Sequence, residues 1–234
     1  MTSTWLFSQL NLQQPGLWLL LSWLIGLAGL IVLRVWPGLT QRARWLSALR
    51  WLIVPYVGLL VGGLSPRRMG LTEIDWLAGA GWGGGLILTL LGLLWLIQLG
   101  DPTLRRSRAT ATGTTPQHGP ASFIIMMSGL QEFHWAFLRG SLWSLLRTLE
   151  GTSILLPASL LAQPAYWAIW GAAVLAVIDL LAASTVRRMN PTQGLTQLFV
   201  LLATSVLFLY TRNFWLCWLL HAGMDLILAR SVTE

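Results

Sequence analysis

The sequence predicts an all-α, polytopic transmembrane helix bundle of about seven spans, with one weaker segment that allows an eighth. Three observations lead there. The 234 residues are 55% hydrophobic and only 10% charged, whereas soluble domains carry roughly 25% charged residues. Several apolar runs exceed the roughly 18 residues that cross a bilayer as a helix. A spanning backbone must satisfy its own hydrogen bonds, which leaves a helix bundle or a closed barrel. Leu-rich runs without polar alternation argue against barrel strands.

The spans are expected at residues 17–35, 46–64, 76–99, 122–138, 165–184, 195–210 and 214–229. The first is read as retained, because no basic stretch or small-residue cleavage site accompanies a short apolar core. The third opens on a glycine-rich run in which Gly81 and Gly85 have the GxxxG spacing that lets helices approach closely; internal packing is the expected use, a homodimer face the alternative. After it, residues 100–121 are rich in Thr, Arg, Pro and Gly and read as a mobile loop. The fourth span follows. Residues 141–163 are less apolar and fit an interfacial helix, a re-entrant piece or the eighth span. The chain thus divides into a three-span region (1–99), a basic polar loop (100–121) and a helical core (122–234).

The net charge is +7, and every basic residue is Arg. Nucleic-acid binding would need these charges gathered on one face or among aromatic residues. They instead form short clusters between apolar runs, so no nucleic-acid partner is expected. Arg34, Arg42, Arg44, Arg50, Arg105, Arg106, Arg108, Arg187, Arg188 and Arg230 fall on one side if the N-terminus is outside and the C-terminus inside, as the positive-inside rule favours. Arg67 and Arg68 fall on the other side, partly offset by Glu73 and Asp75. Trp36, Trp45, Trp51, Trp76, Trp95 and Trp215 lie near span ends, where interfacial anchors belong. The one cysteine, Cys217, lies within an apolar run, which excludes an intrachain disulfide and any zinc-type cysteine spacing.

Against this apolar background, an ionisable side chain in the bilayer core costs roughly 2.5–3.5 kcal/mol on insertion scales. Such a residue persists where it pairs, lines a cavity or does chemistry. Glu132, His134 and Arg139 lie in or at the end of the fourth span, Asp179 in the fifth, and His221 and Asp225 in the seventh; one shared polar site is expected. His221 and Asp225, four apart, share a helix face. Together they could ligate a divalent metal such as zinc, or the carboxylate could orient the imidazole. Glu132 and Arg139, seven apart, also share a face and could form a buried ion pair. His134 lies about 200° around the helix from Glu132, so the two do not naturally face one target.

At these residues the chain resembles the CPBP intramembrane protease family, which includes CAAX prenyl endopeptidases and the Abi proteins linked to bacteriocin processing. The resemblance covers about residues 123–228. It is strongest in Leu209-Tyr210-Thr211-Arg212-Asn213-Phe214-Trp215 and Leu219-Leu220-His221-Ala222-Gly223-Met224-Asp225, where His221 and Asp225 occupy the family's final His-x-x-x-Asn positions. Arg139-Gly140 matches the end of its Glu-Glu-x-x-x-Arg motif, with His134 and Trp135 in place of the two glutamates and Glu132 two residues early. The middle histidine has no counterpart; Asp179 is the only ionisable residue in that span.

The resemblance implies an intramembrane endopeptidase acting on a prenylated or hydrophobic peptide. Glu132 or His134 would be the base, His221 with Asp225 would hold water, a metal or the oxyanion, and Arg139 would hold a carboxylate. The replaced motifs imply the alternative, a non-catalytic scaffold or assembly factor for another membrane protein. Either would reside in a bacterial cytoplasmic membrane or a photosynthetic internal membrane. A transporter would show repeated halves, and none is evident.

Overall fold

Proline begins several helices, where its missing N–H costs nothing and its fixed φ suits the first turn. The computed structural model describes residues 12–36, 38, 43–100, 120–149, 162–187 and 191–230. Among them are seven helices: α1 (Pro15–Val35), α2 (Ala43–Leu60), α3 (Trp76–Gly100), α4 (Ala121–Leu149), α5 (Pro164–Arg187), α6 (Pro191–Thr211) and α7 (Phe214–Arg230). No strand occurs among the described residues. The all-helical bundle matches the expectation.

Other helix starts carry side-chain caps. Asp75 Oδ1 accepts the Ala78 N–H at 3.0 Å, and Asn213 Oδ1 accepts the N–H groups of Trp215 (2.9 Å) and Leu216 (3.3 Å). These caps satisfy donors that the first helical turn leaves open. The α2 helix ends four residues before the expected boundary. Gly62 takes a positive φ of 78°, and the Gly58 carbonyl receives the N–H groups of both Gly63 and Leu64, a turn that closes the helix.

Among the described residues, four helices are long and apolar enough to cross a membrane: α1, α3, α6 and residues Pro164–Ser184 of α5. Within α2 and α7, Trp45–Leu60 and Phe214–Ala229 are shorter apolar helices. Large apolar side chains face outward along them, including Leu77, Trp82, Leu88 and Tyr210. That inverted surface suits hydrocarbon rather than water, and the bundle is of the integral-membrane type.

The central element is α4, which packs against α1, α2, α5 and α7. Every residue from 134 to 141 is buried, so this stretch is enclosed all round. The α4 helix also runs beyond the span expected at 122–138. The first part of the weaker segment, 141–149, continues it, with Ser144 and Thr148 hydroxyls bonded to carbonyls four residues back. Gly140 is no helix end. It is a close-packing point, where a Cβ would meet Met69 Cγ at 2.7 Å and Met69 N at 3.2 Å. Residues 150–161 and the loop residues 101–119, with Arg105, Arg106 and Arg108, lie outside the described residues.

The glycine expectation for α3 needs correction. Gly81 and Gly85 have open space where a Cβ would stand, whereas a Cβ on Gly83 would meet Leu216 at 2.8 Å and Thr211 at 3.0 Å. Gly79 and Gly83 face α6 and α7, and the GxxxG pair lies on the exposed face. Trp36, Trp45, Trp76, Trp95 and Trp215 are exposed near helix ends. Trp51 differs: its ring stacks on His134 with centroids 6.0 Å apart.

Candidate functional site: two buried polar clusters

The α4 helix places Ser128, Glu132, Trp135 and Arg139 on one stripe, at offsets of four, seven and eleven residues. His134 projects from another side. This divergence splits the expected single site into two clusters that share only α4.

The first cluster joins α4, α6 and α7. Glu132 is fully buried and both of its oxygens are engaged. Arg139 Nη1 donates to Oε1 at 2.6 Å, and His221 Nδ1 lies 3.3 Å from Oε2. The expected buried ion pair is therefore present. The same guanidinium reaches Thr204 Oγ1 at 3.3 Å and Ser205 Oγ at 3.4 Å, and it lies 5.0 Å from the Phe208 ring centroid. The His221 ring stacks on Trp135, with centroids 5.0 Å apart and planes 15° apart. Its Nε2 approaches Asp225 Oδ2 at 3.5 Å but makes no hydrogen bond among the described residues. Ser128 Oγ donates to the same Asp225 oxygen at 2.7 Å. The line Arg139–Glu132–His221–Asp225–Ser128 thus runs from the sealed interior to a partly exposed carboxylate.

The second cluster joins α2, α4 and α5. Asp179 pairs with Arg50, and His134 Nε2 stands 3.7 Å from the same Asp179 oxygen. His134 is held between the rings of Trp51 and Phe137. On α1, Gly26 gives the guanidinium room, since a Cβ there would lie 2.0 Å from Arg50 Nη1.

His134 and Asp179 thus meet each other, but neither meets Glu132, Arg139, His221 or Asp225. The physical reason is the helical phase already legible between residues 132 and 134. The metal expectation fares similarly. His221 and Asp225 share a face, yet His221 turns its two nitrogens toward two different carboxylates, so Glu132 and Asp225 lie on opposite ring edges. Asp179 belongs to the other cluster. No group of three or more His, Cys, Asp or Glu side chains among the described residues is placed to hold one metal ion. The donor set does not fit a single divalent ion.

Sequence reasoning missed Arg50, Ser128, Thr204 and Ser205. Arg50 was counted with the loop charges, although it falls inside the expected span 46–64. An intramembrane charge needs a partner, and that requirement would have pointed to Asp179. Ser128 stands one turn before Glu132 on the same stripe, a signal available from spacing alone.

Comparison of the chain with family profiles, curated proteins and solved structures gives no match.

Proposed function

We propose that this chain is a non-catalytic, CPBP-type helical membrane protein that serves as a scaffold or assembly factor for another membrane protein. One observation carries the reading: Glu132 is fully buried, with one oxygen bonded to Arg139 at 2.6 Å and the other 3.3 Å from His221. A general base must reach a water or a substrate proton. A carboxylate held on both oxygens instead clasps α4 to α7, and Arg139 extends the clasp to α6. The chain is oriented N-out and C-in, in a bacterial cytoplasmic or photosynthetic internal membrane, with most of its arginine-bearing connections inside.

The exposed face of α3 supports a docking role. Gly81 and Gly85 keep GxxxG spacing with open space before them, the pattern by which membrane helices approach closely. The test is purification of a tagged chain in mild detergent. A defined membrane partner is recovered with wild type and with His221→Ala, and is lost with Gly81→Leu/Gly85→Leu. Recovery of no partner from wild type, or its loss with His221→Ala alone, refutes the reading.

A second reading, an intramembrane peptidase, is favoured by one feature. His221 presents Nε2 without a hydrogen bond while Glu132 lies at Nδ1, an arrangement that can orient an imidazole as a base. That reading requires membranes carrying the wild type to cleave a hydrophobic peptide that those carrying His221→Ala leave intact.

A further inference from the structure

We propose that the connection between α2 and α3 is a stopper that seals the Arg139–Glu132–His221 cluster from water, with Met69 as its plug. Met69 is fully buried although it lies in a connecting segment. It rests on Gly140, the residue after Arg139, where a Cβ would come within 2.7 Å of Met69 Cγ. The next residue, Gly70, takes a positive φ of 74°. A Cβ on it would meet Arg212 O at 2.7 Å, Phe208 Cε2 at 2.8 Å and Phe214 N at 3.0 Å. The Gly70 carbonyl accepts the Phe214 N–H at 3.0 Å, tying the segment to the corner between α6 and α7. Phe208, against which Gly70 packs, is the ring beneath the Arg139 guanidinium. The segment therefore covers the Arg139 end of the cluster, where Met69 and one backbone hydrogen bond hold it to that corner, while Leu64 and Leu71 pack its flanks. A connection between helices can open locally while the helices stay folded.

The protein carries its own reporter. Cys217 is fully buried, with its Sγ 3.4 Å from the Thr204 carbonyl, and the Thr204 hydroxyl touches Arg139. Water that reaches the cluster from the Met69 end reaches this thiol. The measurement is the rate at which a water-soluble maleimide labels Cys217 in the purified, folded chain in mild detergent. Wild type labels slowly. Met69→Ala, which leaves a cavity under the segment, raises the rate by at least about tenfold. Met69→Leu, which restores the volume, returns it to the wild-type rate. Leu91→Ala, a truncation of a partly buried side chain where α3 meets Gly223, leaves the rate unchanged. Rapid labelling of wild type, no increase with Met69→Ala, or an equal increase with Leu91→Ala overturns the proposal. If Met69→Ala does not fold, the Gly70→Ala chain replaces it, with the same expected increase and the same refuting result. The readout is thiol access, so its failure is distinct from failure of partner capture or of peptide cleavage.

Discussion

Replacing Glu132 by Gln keeps the side chain's shape and removes its charge, leaving the Arg139 guanidinium buried without a counter-ion. Breaking a buried pair by removing one partner costs about 3–5 kcal/mol. The remaining contacts of Arg139, with Thr204 at 3.3 Å and Ser205 at 3.4 Å, are long and compensate little, but the replacing amide oxygen still accepts from Nη1, which places the loss near the lower end, about 3 kcal/mol. Glu132→Leu combined with Arg139→Met removes both charges and fills much of the space. Such replacements are often near neutral, and Thr204 keeps its own bond to the Leu201 carbonyl at 3.3 Å. The double variant is therefore expected to lose at least about 2 kcal/mol less than the sum of the two single changes. The assay is reversible unfolding in mild detergent, followed by the emission of the 15 tryptophans. A cost below about 1 kcal/mol for Glu132→Gln, or simple additivity in the cycle, refutes the claim that this pair is a buried clasp.

Two further outcomes use the same assay. Gly26→Val forces Arg50 from its seat, because even a Cβ would lie 2.0 Å from Nη1, and it costs about 1–3 kcal/mol; an unchanged midpoint would show that α1 does not confine the Arg50–Asp179 pair. Asn213→Ala removes the cap that accepts two N–H groups at the start of α7 and costs about 1 kcal/mol; Asn213→Asp retains the acceptor and should recover most of that loss.

Much of the architecture was readable from the apolar runs. The first, third, fifth and seventh expected spans, 17–35, 76–99, 165–184 and 214–229, lie within α1, α3, α5 and α7 and end within three residues of them. Residue spacing also gave the Glu132–Arg139 pair, the shared face of His221 and Asp225, and the divergence of His134 from Glu132. What spacing could not give was three-dimensional partnership. The fourth span was expected to end at residue 138, yet its helix runs on through Gly140, where Met69 from a distant connection fills the space the glycine leaves. Gly81 and Gly85 had the spacing for close packing, but one residue pair earlier in phase, Gly79 and Gly83, faces the neighbours. Arg50 looked like a topology signal because its counter-ion lies 129 residues away in sequence.

The central claim is that the buried titratable groups form two separate clusters, with Glu132 serving His221 and Asp179 serving His134. The chain has three histidines, so ring-selective 15N labelling gives few signals to assign. Glu132→Gln should move the His221 ring resonances and leave those of His134 in place, and Asp179→Asn should do the reverse. A Glu132→Gln spectrum in which His134 shifts as far as His221, or in which His221 does not shift, would contradict it.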